Sequence, residues 1–226
     1  MAYRNSILSL LCGLPFLLMG CVQSQEIIPL GDISAPTMDR ASVTPIAIDR
    51  VVSQVPRGKQ LGTVKMGLLC IPHLSLTAGS GQGNITDATY LDSIHHEFLV
   101  VDYPIMNNPT ELFASQASET TRIRLGGRIT DVRVNVCFPM AGFGDLSNGT
   151  ADASVRVEWQ AYDALTKSII LKIATEGYGS IKSSVVNPVS SANDIAVAMA
   201  TRRLIVSPEF ERLAKANLRR PIGSLK

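Results

Sequence analysis

Two neighbouring stretches alternate apolar and polar residues with a period of two, the pattern of strands with one buried face. In the first, Ile123, Leu125 and Ile129 keep one phase, and Val132, Val134 and Val136 keep the other. A one-residue slip sends a whole apolar set to the opposite face. The change of phase therefore predicts a bulge near Thr130-Asp131, or two strands meeting at a bend. In the second, Val155, Val157 and Trp159 alternate with Arg156, Glu158 and Gln160. Tyr162 to Ser168 turns the chain, and Ile169, Leu171 and Ile173 then alternate with Ile170, Lys172 and Ala174. This predicts an antiparallel hairpin with helices over one face. Aromatics are few and β-branched residues many, which favours sheet content.

The other elements are read around that sheet. Ile46, Ile48, Val51 and Val52 predict a short strand ended by Pro56-Arg57-Gly58. The apolar run Val64 to Ile71, stopped by Pro72, predicts a buried strand. Small residues from Thr77 to Asn84 predict a loop, and Ala88, Leu91, Ile94 and Phe98 predict a helix over about 86–98. Leu99 to Tyr103 reads as a short strand and 109–118 as a short helix. Residues 140–150 and 177–192 read as loops, the second for Gly177, Gly179, Pro188 and its serines. Ile195, Ala198, Met199, Arg202 and Ile205 make a helical stripe. Ser207-Pro208-Glu209 then restarts a helix with a cap, a first-turn proline and an acid. The expected fold class is α+β: a mixed, largely antiparallel sheet with a β-hairpin and helices packed on one face.

The amino terminus assigns a compartment. A basic Arg4 precedes an apolar run from Ile7 to Leu18, which ends in Leu18-Met19-Gly20-Cys21. This resembles a bacterial lipoprotein signal. The run is short of the roughly 20 residues a spanning helix needs. The resemblance implies cleavage before Cys21, acylation of that cysteine (palmitate among the chains) and a firm anchor, at about 0.8 kcal/mol per buried CH₂. Residues 1–20 are then the signal peptide and 21–42 a flexible tether broken by Pro29, Gly31 and Pro36. Residues 43–226 form a single periplasmic domain with a basic C-terminal tail. With the leader gone the charge is near neutral, which argues against nucleic acid as a partner. Of four cysteines, Cys12 leaves with the leader and Cys21 carries lipid. Cys70 and Cys137 are expected to pair, since disulfides persist in exported proteins. The alternative is two separately buried thiols.

Catalytic constellations are weak. Gly79 to Asn84 lacks the Lys-Ser/Thr ending of a phosphate-binding loop. Ser80 lacks the glycine spacing of a hydrolase elbow, because Ala78 stands at the first glycine position. His95 and His96 are adjacent, so on a helix they diverge and do not chelate together; His73 stands apart. No metal site, cofactor or catalytic residue is expected. From Arg202 to Lys226 there are seven Lys/Arg against Glu209 and Glu211. Arg202, Arg203, Arg219 and Arg220 are therefore candidates for meeting anionic lipid, against a plain solvated helix face.

The order of elements, with "TRIRLGGRIT", "VRVEWQAYDALTKSIILKIATEG" and "DIAVAMATRRLIV", resembles the periplasmic domain of the curli-secretion lipoprotein family (CsgG). It is also similar to the N-terminal domain of TolB. The hairpin carries the likeness, with Asp163, Thr166 and Gly177 at the family's Asp, Thr and Gly positions. The resemblance implies no catalytic residues. It implies an envelope assembly or secretion accessory on the periplasmic side of the outer membrane, acting through other envelope proteins, with a homo-oligomer as one form. Trp159, Tyr162 and the open edge of the hairpin are the candidate contacts, with core packing preferred for Trp159. The rivals are a periplasmic hydrolase using Ser80 with His73 or His95, and a lipid or ligand carrier.

Overall fold

The structure is a computed structural model, and it describes residues 37–79, 87–106, 121–141 and 144–216. Among the described residues, six strands and three helices follow in the order β1 (Ile46–Ser53), β2 (Gln60–Met66), β3 (Ile71–Thr77), α1 (Asp87–Val100), β4 (Ile123–Phe138), β5 (Asn148–Asp163), β6 (Ser168–Val186), α2 (Pro188–Ile205) and α3 (Pro208–Lys215). The strands form one mixed sheet, β3-β2-β4-β5-β6, with β1 also paired to β4. The fold is α+β, as the alternation and the helical stripe predict.

β4 is the spine. Its N-terminal half pairs in parallel with β1 (Ile46 opposite Ile123) and its C-terminal half in parallel with β2 (Met66 opposite Phe138). Its other edge runs antiparallel to β5. The phase slip is a real irregularity: the β4–β5 register shifts between Ile129 and Asp131, so both apolar sets face the core. Ile123, Leu125, Ile129, Val132, Val134 and Val136 are all buried.

α2 lies over β5 and β6, with α1 beside it. The approach to β6 is set by small residues. A Cβ on Gly177 would stand 1.8 Å from the Ala196 carbonyl oxygen, and one on Gly179 would stand 1.9 Å from that of Ala192. Ala192, Ala196 and Ala200 are fully buried on the facing side of the helix. Small residues on both partners bring backbone close to backbone, which maximises dispersion contact. Trp159 is packed over Gly127, its cross-strand partner. Its Nε1–H donates to Thr175 Oγ1 at 2.7 Å, and that hydroxyl donates to the Ala200 carbonyl at 2.8 Å. Beside this, Phe98, Tyr103 and Phe210 meet edge to face or tilted and join α1 and the segment after it to α3. Ser207 caps α3 by accepting from the Phe210 N–H at 3.2 Å, as its sequence signature predicts.

Four local expectations are corrected. The run Val64 to Ile71 is not one buried strand but the end of β2, a tight turn and the start of β3. Leu99-Val100 completes α1 instead of starting a strand. β5 begins at Asn148, inside the stretch read as a loop. β6 runs on to Val186, and α2 starts at Pro188, where a loop was expected. The expected helix at 109–118 and most of the expected tether lie outside the described residues. The described end of the tether is held on the domain: the Met38 N–H donates to the Val101 carbonyl at 2.8 Å, and Arg40 Nε donates to Asp102 at 2.8 Å.

Candidate functional site

The most unusual surface is the tip of the β2–β3 hairpin. Met66 to Leu74 contains no Asp, Glu, Lys or Arg. Gly67, at φ +76, turns the chain after β2. Its N–H donates to the Phe138 carbonyl at 3.0 Å, which ties the turn to the end of β4. Cys70 takes the left-handed region, at φ 49. It is bonded to Cys137 across a Cα separation of 5.5 Å, as the cysteine assignment predicts. Closing a loop of 67 residues removes disorder from the unfolded chain, about 4 kcal/mol on the chain-entropy account.

The clamp holds apolar side chains in water. Leu68 is 76% exposed, Leu69 84%, Ile71 61% and Leu74 56%. Burying one such side chain is worth about 1.5–3 kcal/mol, so the isolated domain forgoes that gain several times over. Met140, Leu146 and Val186 are exposed as well. The register places them at this same end of the sheet, where Met66 pairs with Phe138 and Asn148 with Val186. The nearby Asp145 is turned to structural work. Its carboxylate accepts from the side chains of Asn148 and Ser147 and from their backbone N–H groups, which hold its pKa well below the usual range. A contiguous apolar surface with little charge is suited to contact with another apolar surface.

The remaining candidates are placed as follows. Trp159 is 1% exposed and so is no contact residue; its ring fills the space over Gly127. Tyr162 is 36% exposed beside the β5–β6 turn. Arg202 is engaged with the buried Glu97 on α1, its second nitrogen 3.3 Å from Oε1. Arg203 donates to the Glu176 carbonyl at 2.9 Å and lies 5.6 Å over the Tyr178 ring. Both guanidinium groups are partly buried and engaged with partners on the domain. Cys21, Ser80, Arg219 and Arg220 lie outside the described residues.

Of the histidines, His73 and His96 are exposed. His95 is 3% exposed, and neither ring nitrogen makes a hydrogen bond. Burial pushes its pKa down, with Asp92 partly opposing. Among the described residues no three His, Cys, Asp or Glu side chains are grouped to hold a metal ion. The open face of the sheet has a shallow concavity of about 60 Å³ lined by Asp131, Arg133, Ser154, Arg156, Glu176 and Tyr178. It is far smaller than the several hundred Å³ of a typical ligand cleft. Its charges pair internally, Arg156 with Glu176 at 2.7 Å and Asp131 with Lys59 at 2.8 Å and Arg133 at 3.1 Å. Burial pushes the Asp131 pKa up, but Lys59 and Arg133 outweigh it and leave it lowered.

No protein-family model matches the chain, and no curated protein does. Solved structures do. Protein XCC0632 from Xanthomonas campestris, described as DUF330, is 12% identical over 76% of this chain and 85% of that one, with a TM-score of 0.39. The hypothetical protein CT253 from Chlamydia trachomatis is 13% identical over 74% and 96%, with a TM-score of 0.39. PelC from Paraburkholderia phytofirmans, a dodecamer, is 13% identical over 75% and 92%, with a TM-score of 0.31. Likeness at this level carries no conclusion about activity or partners. These findings overturn the resemblance to the curli-secretion and TolB families. The physical reason lies in the element order that carried it. The run Val64 to Ile71 belongs to two antiparallel strands and the turn between them, and Leu99-Val100 ends a helix, so the order has one strand more before that helix and one fewer after it than the resemblance assumes.

Proposed function

We propose that this chain is a lipid-anchored envelope protein that acts without catalysis, as an assembly or secretion accessory working through protein contacts. The observation that carries this is the β2–β3 tip. Four aliphatic side chains stand in water at the end of a hairpin, and a disulfide fixes their position. Disordered apolar residues lose entropy on binding, whereas a clamped tip has already lost it. The disulfide also fits an oxidising compartment, in keeping with the lipoprotein signal at Leu18 to Cys21. The partner is an apolar surface on another envelope protein or on a further copy of this chain. The anchor places the domain on the periplasmic side of the outer membrane, since Val22 stands where many inner-membrane lipoproteins carry Asp.

The test is Leu68→Asp with Leu69→Asp in the full chain. Both positions are solvent-exposed, so the fold and its melting temperature are expected to stay within a degree or two of wild type. The size of the complex extracted from cross-linked envelopes is expected to fall to that of the single chain. A complex of unchanged size in the double variant would show that the tip is not the contact surface.

A further inference from the structure

We propose that the opposite end of the sheet is the footing on which this domain rests on a lipid bilayer, with the β5–β6 turn dipping into the headgroup–acyl boundary. This rests on the lipid-anchor reading of Cys21 and adds to it an orientation for the domain. The end in question is defined by one lateral row of residues. Ile105 bridges Ile46, Ile46 pairs with Ile123, Ile123 with Asp163, and Asp163 with Ser168. Four strand steps of about 4.8 Å make that row about 19 Å wide.

Both ends of the described chain lie on this side of the domain. Met38 is hydrogen-bonded to Val101, just before Ile105. Thr44 receives Tyr103 Oη–H on its carbonyl at 2.8 Å. Its own N–H donates to Ala214 at 2.8 Å and its hydroxyl to Ala216 at 3.1 Å. β4, with 16 residues, is about 50 Å long, so the two ends of the sheet are far apart. A lipid anchor at Cys21 joins the chain on the side where Met38 to Thr44 enter the domain, and the Leu68-Leu69 tip stands at the other end of the sheet.

The chemistry of the near end suits a lipid surface. Leu165 is 39% exposed, Ile169 48% and Ile170 39%, all at the β5–β6 turn. Across the row, Val100 and Met106 are exposed too. Lys167 stands at the crest of the turn and takes part in none of the ion pairs among the described residues. Aliphatic side chains with a lysine among them enter the boundary region while the ammonium meets phosphate. The Leu68-Leu69 tip has no cation between Met66 and Leu74, so its chemistry is that of a protein contact. The footing is also rigid. Asp163 accepts two hydrogen bonds from Arg122, at 3.0 and 2.8 Å, and one from the Leu165 N–H at 2.9 Å.

The test places a nitroxide on Ile169→Cys and, separately, on Leu69→Cys. The full-length acylated protein is reconstituted in vesicles of phosphatidylethanolamine and phosphatidylglycerol. Collision with dissolved oxygen is compared with collision with a water-soluble nickel complex. The oxygen-to-nickel ratio is expected to be several-fold higher at Ile169 than at Leu69, with a label on Met106→Cys following Ile169. Equal ratios, or a higher ratio at Leu69, overturn the footing. Flotation of wild type against Cys21→Ala reads the anchor separately. A chain that floats with Ile169 in water keeps the anchor and loses the footing, while a wild type that does not float loses both.

Discussion

Asp163 shows how one residue sets the shape of a turn. It is 2% exposed, and its carboxylate is held by both arms of Arg122 and by the Leu165 N–H. The Arg122 guanidinium keeps its pKa below the usual carboxylate value, against the opposing effect of burial. A carboxyl whose pKa is lower folded than unfolded adds stability above about pH 4, and that stability is lost as pH falls through the folded value. Asp163→Ala is therefore expected to cost about 2–4 kcal/mol in urea unfolding at pH 7, because it removes two charge-assisted hydrogen bonds from Arg122 and one from the Leu165 N–H at a buried position. The gap to wild type should shrink in strong acid, and a gap independent of pH would refute the assignment. His95 works in the same sense, from burial instead of from an ion pair. Its pKa is lowered by burial, so protonation favours the unfolded chain. Stability is full above the ordinary histidine value near 6.5 and falls as pH drops below it. His95→Leu should flatten the stability profile between pH 5 and 7, which thermal melts at both ends of that range would show.

At the scale of elements, the seat of α2 on β6 is the tightest joint. Gly177→Ala pushes a methyl group into the Ala196 carbonyl, and the helix has to move away. A loss of about 3 kcal/mol is expected, read as a lower denaturation midpoint with an unchanged slope. The same joint explains why β6 was hard to read. Gly177, Gly179 and Ser180 look like loop chemistry because sequence rules treat small residues as breakers. Here the two glycines are small because a helix backbone lies against them, while Ser180 faces the open side and donates to Asp152. The β2–β3 turn misled for the converse reason: Gly67 is its one ordinary turn residue, and leucines fill the rest. Apolar residues at a tip that packs against nothing carry no local signal of a turn. By contrast, the β4 phase slip and the β5–β6 hairpin were legible because alternation depends only on which face is buried. The cysteine pair was legible from the expectation of an exported chain, in which disulfides persist. Of the candidate site, Cys70 and Cys137 were named and the leucines between them were not. Cys70→Ser with Cys137→Ser is expected to lower stability by about 4 kcal/mol and to loosen the tip, seen as faster amide exchange at Leu68 to Leu74.

At the scale of the whole molecule, the sheet has two unlike ends and a sealed middle. One end gathers both ends of the described chain around an aliphatic turn crested by Lys167. The other holds an uncharged apolar tip under a disulfide, about 50 Å away along β4. Between them the helix-covered face is packed, and the ion pairs of the open face are largely satisfied within the sheet. A domain built in this way is suited to holding one apolar surface at a fixed distance from a membrane. The central claim is that the β2–β3 tip is a contact surface in the intact envelope. A photo-activated cross-linking residue at position 69, compared with one at Ser154 on the open face, tests it most directly. The account predicts a discrete adduct with one envelope protein or a second copy of this chain from position 69, and none from position 154. No adduct at position 69, or the same adducts from both positions, would contradict it.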